Sequence, residues 1–147
     1  MDINRLQDKI IEEFDLFLDK MNRFRYFRYI TRLGKELPLI DTQYKTEQHL
    51  IRGCNPRVWL HAAYQNDKVF YTADGDTPLD KGLLSMFIQI LSGHSPKEIA
   101  NADMYVLNEI RLHKYLPAAK FESALSILKQ IKLYAVNFQV QSLFKAG

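Results

Sequence analysis

The 147-residue chain has very little cysteine: a single residue, Cys54. One thiol forms no internal disulfide and supplies no multi-cysteine zinc or iron–sulfur site. Long apolar runs are also missing. The most apolar window, residues 82–91, is about half of the roughly 20 residues a membrane helix needs. The Met1-Asp2-Ile3-Asn4-Arg5 start leads into an acidic amphipathic stretch, unlike the basic-then-apolar layout of a signal peptide. Charge of one sign is scarce too: the net charge is +3, far from the dense positive field of a dedicated nucleic-acid binder. There is no repeat, low-complexity tract or Gly/Ser-rich linker. These absences lead to the expectation of one cytoplasmic domain over residues 1–147, with a reduced thiol and no nucleic-acid or membrane partner.

What is present is an ordinary globular composition, 47% hydrophobic and 25% charged, enough for a real core. Ile3, Leu6, Ile10, Phe14, Phe17, Leu18 and Met21 recur at helical spacing, predicting an N-terminal amphipathic helix. A second helix is expected over residues 22–33, stopped by Gly34 and Pro38. The period then changes. Residues 58–64 and 68–74 read as two strands joined by Asn66-Asp67, an antiparallel hairpin, and Leu50-Ile51-Arg52 reads as a third short strand. Thr77-Pro78-Leu79-Asp80 has an N-cap, a helical Pro and an acid at the third helical position, and opens a helix apolar nearly all round. Ser95-Pro96-Lys97-Glu98 is a capping box. A last helix is expected over residues 118–144, with Phe121, Ala124, Leu125, Leu128, Ile131 and Ala135 on its apolar face. The fold class that follows is α+β: a small antiparallel sheet of about three strands packed with N-terminal, central and C-terminal helices.

Cys54 lies between Gly53 and Pro56, on a tight turn entering the first hairpin strand. Free cysteine is only a few per cent thiolate at neutral pH. Arg52 and Arg57 are near in sequence, and a guanidinium beside the sulfur would favour the thiolate. The residues alone leave two readings open, a reactive thiol held out on a loop or a small buried hydrophobe.

Residues 50–59, Leu50-Ile51-Arg52-Gly53-Cys54-Asn55-Pro56-Arg57-Val58-Trp59, resemble the L-I-x-G-C-x-S-x-V-W signature of the SufE family of sulfur acceptors. Upstream, Tyr29-Ile30 and Leu33-Gly34-Lys35-Glu36-Leu37-Pro38 resemble the family's Y-x-I-x-x-L-G-x-x-L-P helix end. Downstream, Ala73-Asp74-Gly75-Asp76 and Lys81-Gly82-Leu83 resemble its D-S-D-A-x-x-x-K-G segment, and Ser95-Pro96-Lys97-Glu98-Ile99 its T/S-P-x-E/D-I turn. Residues 129–135 resemble its terminal helix. The chain departs from the pattern at Pro56 and Gly75, both Ser in the family, and at Lys120 and Ser123, which replace the Arg and Gly of an S-P-x-R-x-N-G-L stretch. Arg and Lys are not interchangeable where bidentate geometry matters.

The resemblance implies a SufE/IscU-like fold in which Cys54 carries sulfane sulfur as a persulfide. Arg52, Gly53 and Arg57 would be its supporting loop, and Asp74, Asp76 and Lys120 would contact or regulate a partner. The implied partners are a cysteine desulfurase, on which the pyridoxal phosphate chemistry resides, and a downstream iron–sulfur scaffold. The chain itself would hold no cofactor beyond the transient persulfide and would be a monomer or homodimer. Two alternatives come with this reading. One is a divergent relative that binds a desulfurase or scaffold without carrying sulfur. The other is a cysteine hydrolase pairing Cys54 with His49 or His61. The four histidines, at 49, 61, 94 and 113, have no metal-ligand spacing. The interleaved Arg23-Phe24-Arg25-Tyr26-Phe27-Arg28-Tyr29-Ile30-Thr31-Arg32 reads as a core helix with a solvated basic face.

Overall fold

A computed structural model describes residues 2–18 and 22–145, without the side chains of Phe17, Leu18 and Lys145. The predicted contributions of Phe17, Leu18 and Met21 to the first apolar face therefore lie outside the described parts. Two helices, α1 (Ile3–Leu18) and α2 (Arg23–Leu33), precede a loop region with three short 3₁₀ turns, and the hairpin β1 (Val58–Gln65) and β2 (Lys68–Gly75) follows. Five more helices complete the described chain: α3 (Pro78–Leu91), α4 (Pro96–Asn101), α5 (Val106–Glu109), α6 (Leu112–Tyr115) and α7 (Ala118–Lys145).

The hairpin pairs Val58 with Gly75 at its open end and Gln65 with Lys68 at the turn. Asn66 and Asp67 both take left-handed conformations, φ 53° and 63°. This is the sign a two-residue hairpin requires at both central positions, and Asn and Asp tolerate it better than most residues. The sheet has two strands, not about three. Leu50 makes only one bridge, to Trp59, and the Ile51 amide donates to the Val58 carbonyl at 2.9 Å. The chain then turns at Gly53, φ +89°, so no ladder can continue.

Helix α3 is the hub. Thr77 caps it, accepting from the Asp80 amide at 3.2 Å, and the run from Gly82 to Ile88 is buried on every side. Its close neighbour is α2. A Cβ on Gly82 would stand 2.1 Å from the Ile30 carbonyl oxygen, and one on Gly34 would stand 3.0 Å from the Gly82 nitrogen. The two glycines of the L-G and K-G motifs therefore let two helix backbones touch. On α2, Tyr26 and Ile30 face this contact and are fully buried, while Arg25, Arg28 and Arg32 are exposed. The Tyr26 hydroxyl donates to the Ile110 carbonyl at 2.7 Å, tying α2 to the end of α5. Gln7 ties α1 to the same region: its side chain donates to the Asp103 carbonyl and accepts from the Val106 amide.

Helix α7 packs on the buried face of the hairpin, with Ala124, Ile127, Ile131 and Ala135 all fully buried. Leu125, expected on this face, is 44% exposed, and Ile127 takes the inward place. The Tyr71 hydroxyl of β2 reaches the Ile131 carbonyl at 2.7 Å, fixing helix against sheet. No helix among the described residues is long and apolar enough to cross a membrane.

Candidate functional site

The loop between Ile51 and Val58 is held at both ends by backbone bonds and lies against the first turns of α7. The Arg57 carbonyl accepts from the Asp76 amide at 3.1 Å, which joins this loop to the turn after β2. On the other side, a Cβ at Gly53 would stand 2.8 Å from the Ser126 Oγ of α7, so the loop and helix leave no space for a side chain there. Asn55–Pro56 is a cis peptide bond.

Cys54 sits half-buried in this seam. Its thiol donates to the Ser123 carbonyl at 3.6 Å. Ser123 is itself buried, and its hydroxyl donates to the Ala119 carbonyl at 3.1 Å, with the Gly53 carbonyl 3.5 Å away. Burial pushes the Cys54 thiol above its ordinary value. Hydrogen bonding with Ser123 counteracts this, the Asp80 carboxylate adds to the rise, and the Lys120 ammonium opposes it. The resting sulfur is therefore a neutral thiol with a carbonyl acceptor, and it becomes a good nucleophile only once it ionises.

The Asp80 carboxylate of α3 and the Lys120 ammonium of α7 bear on the thiol with opposite effect, and the loop's own Arg57 is engaged in an ion pair. Arg57 Nε pairs with Asp76 Oδ2 at 3.0 Å and its guanidinium lies 4.9 Å from the centre of the Trp59 ring. Lys45 stands 4.6 Å from the same ring and pairs with Asp74 at 2.9 Å. Lys81 approaches the other Asp74 oxygen at 3.7 Å. Arg52 is exposed. The two predicted acids thus flank the loop in ion pairs, Asp76 directly with Arg57 and Asp74 with the two lysines.

Lys120 points inward. Its ammonium donates to both oxygens of Asp80, at 3.2 and 3.1 Å, and the Asp80 side chain is only 1% exposed. Asp80 also accepts from the Thr77 hydroxyl at 2.7 Å. In the sequence Asp80 reads only as an acid in the first turn of a helix, so its second job is invisible there. Ser123 is legible there only as a departure from the family's glycine. The candidate hydrolase histidines are engaged in another cluster: His61 stacks on Tyr44 at 3.8 Å, and His49 faces the Thr46 hydroxyl at 3.3 Å. Among the described residues, no group of three or more His, Cys, Asp or Glu side chains could hold a metal ion.

Fold and site together define a small α+β protein with one loop-borne thiol braced by its C-terminal helix. The chain belongs to the SufE family: the model of that family, described as an Fe-S metabolism associated domain, matches residues 8–135. It is 30% identical over 142 residues to the chloroplastic/mitochondrial SufE-like protein 1 of Arabidopsis thaliana, covering 95% of this chain but only 38% of the plant protein. An uncharacterized SufE-like protein of Rhizobium meliloti is 32% identical over 130 residues, with 85% of this chain and 91% of that protein covered. The sulfur acceptor protein CsdE of Escherichia coli is 28% identical over 96 residues, 64% of this chain and 65% of that one. In structure, the chain is similar to the solution structure of a hypothetical protein from Thermus thermophilus, with TM-score 0.71 and 13% sequence identity. That match covers 90% of this chain and 94% of the other, and establishes the shared fold.

Proposed function

We propose that this protein is a sulfur acceptor: Cys54 takes sulfane sulfur from a cysteine desulfurase as a persulfide, stimulates that enzyme by clearing its product, and passes the sulfur on for iron–sulfur cluster assembly. The observation that carries the reading is the setting of Cys54. The chain's one thiol is half-buried on a loop packed against α7, where the Ser123 carbonyl accepts from it. A carrier needs one protected sulfur that a partner can reach, and a cluster scaffold needs several ligands. CsdE, a relative named as a sulfur acceptor, supports the same reading.

The transfer is a displacement at sulfur. Cys54 loses its proton to water, and the thiolate attacks the outer sulfur of the persulfide on the desulfurase cysteine. A new sulfur–sulfur bond joins that atom to Cys54 Sγ. The bond to the desulfurase cysteine breaks, and that cysteine leaves as thiolate and takes up a proton. Nothing is oxidised or reduced overall. Pyridoxal phosphate does its work on the desulfurase before this step. The ion pairs Arg57–Asp76 and Lys45–Asp74 around Trp59 present both signs of charge beside the loop, which suits docking of a polar partner surface.

Incubation with a cysteine desulfurase and cysteine should add about 32 Da to the intact mass, and Cys54→Ser should abolish the adduct. If the wild type takes up no sulfur, yet wild type and Cys54→Ala bind the desulfurase equally and leave its turnover unchanged, the protein is a binder without a carrier role.

A further inference from the structure

We propose that Lys120 is the cationic donor for the anionic sulfur of Cys54, and that Asp80 is the positioning residue that fixes its ammonium. The inference rests on the sulfur-acceptor reading for its purpose, though not for its test.

The geometry begins with Asp80. A carboxylate in the first turn of a helix normally stands in solvent, where its own N-terminus and water suffice. This one is buried, and a buried carboxylate is sustained only by a paired cation and hydrogen bonds to its oxygens. Both are present: the Thr77 hydroxyl at 2.7 Å and the Lys120 ammonium on both oxygens at 3.1 and 3.2 Å. Gly75 makes room for this arrangement, because a Cβ there would stand 3.1 Å from the Asp80 Cβ. Lys120 in turn is drawn inward, its side chain 20% exposed. Ser123, three residues along the same helix, gives its carbonyl to the Cys54 thiol. Gly75, Lys120 and Ser123 are three of the four positions at which the chain departs from the family pattern: Gly75 and Lys120 both adjoin Asp80, and Ser123 adjoins Cys54.

An ammonium has three N–H donors. Two are spent on Asp80, and the third remains for water at rest or for a sulfur anion when one forms. The Ser123 carbonyl suits a neutral thiol but repels a thiolate or the terminal sulfur of a persulfide anion. An anion in this seam therefore needs a donor, and the cation on the helix that braces the sulfur is Lys120, three residues before Ser123 and paired with Asp80 of α3. The loop's own Arg57 is committed to Asp76. Ionisation releases the thiol proton to water and makes no covalent bond. The ammonium keeps one or both of its contacts with Asp80 and offers its free N–H to sulfur. Its charge thus serves a buried carboxylate at rest and the sulfur during transfer.

The test is the pH profile of Cys54 alkylation by iodoacetamide, followed by intact mass. Removing Lys120 alone would strand a buried carboxylate, so the decisive comparison is Asp80→Asn against Asp80→Asn combined with Lys120→Met, a pair without that charge. Asp80→Asn should ionise at lower pH than the wild type. The double variant should move back upward from Asp80→Asn, with about threefold less thiolate at neutral pH. Lys120→Arg in the Asp80→Asn background should keep the lower profile, because the cation is retained. Loosening of the seam alone would drive all these variants toward free cysteine in the same direction. Superimposable profiles for Asp80→Asn and its Lys120→Met double variant would overturn the assignment. If the wild type gains no sulfur adduct from the desulfurase while the profiles separate as expected, the acceptor role fails and the Lys120 assignment stands. If the adduct forms and the profiles coincide, the assignment alone fails.

Discussion

Gly53→Ala perturbs the loop that holds the thiol without touching the thiol itself. Two costs follow from the structure. The residue has φ +89°, a conformation that costs a side-chain-bearing residue about 1–2 kcal/mol. The new Cβ also stands 2.8 Å from Ser126 Oγ, an atom that can turn aside at a cost of a further about 0.5–1 kcal/mol. Together they weaken seating of the loop on α7 by about 2 kcal/mol, and every 1.4 kcal/mol is about a tenfold change in population. Lifting the loop frees the sulfur from the burial that raises its pKa, so alkylation at neutral pH should accelerate by up to about thirtyfold. Ser126→Ala added to Gly53→Ala removes the clash and leaves the backbone cost, and should recover part of the difference and not all of it. The assay is iodoacetamide labelling with intact mass, alongside urea denaturation followed by the single tryptophan, Trp59, which lies under the same loop. A Gly53→Ala variant that labels at the wild-type rate would refute the reasoning, as would a Ser126→Ala change that recovers nothing.

Two further outcomes follow from other contacts. Gly82→Ala should lower the urea midpoint at unchanged m-value, a loss of about 2 kcal/mol, because the overlap with the Ile30 carbonyl outweighs the gain of about 1 kcal/mol in helix propensity. Asp74→Asn should flatten the acid limb of the stability profile: burial raises the Asp74 pKa, but the Lys45 and Gly75 hydrogen bonds and the Lys45 and Lys81 charges hold it below its usual value. A depressed carboxylate stabilises the fold above its unfolded pKa of about 3.9 and loses that contribution as pH falls through the folded value. Melting temperatures should therefore differ between wild type and Asp74→Asn near about pH 7, by the equivalent of under about 1 kcal/mol, and converge as pH falls through the depressed folded value.

Much of the fold is local and so was legible. Thr77, Ser95 and Glu98 announce helix starts through capping chemistry confined to a few neighbouring residues, and the structure realises each cap. The hairpin follows from strand residues on both sides of Asn66-Asp67. The third strand failed because Leu50-Ile51-Arg52 has strand-like residues but too little length before Gly53 turns the chain. Leu125, expected on the apolar face of α7, is exposed while Ile127 is buried, because a helix's apolar arc is wide and only the position of the hairpin against it decides which side faces inward. Helices α5 and α6, four residues each, have no periodicity long enough to announce them.

The site divides in the same way. The sequence alone determined that one thiol exists, that it stands on a turn between Gly53 and Pro56, and that its surroundings resemble those of a sulfur-acceptor family. Such features are properties of neighbouring residues and survive in a linear string. It pointed to Arg52 and Arg57 as the charges beside the sulfur because they are adjacent in the chain. Tertiary structure added what the string could not show, pairing Arg57 with Asp76 beside Trp59 and bringing Asp80 and Lys120, separated by 40 positions, into contact. Electrostatic influence depends on distance and burial, and those are fixed only when helices α3 and α7 pack around the loop.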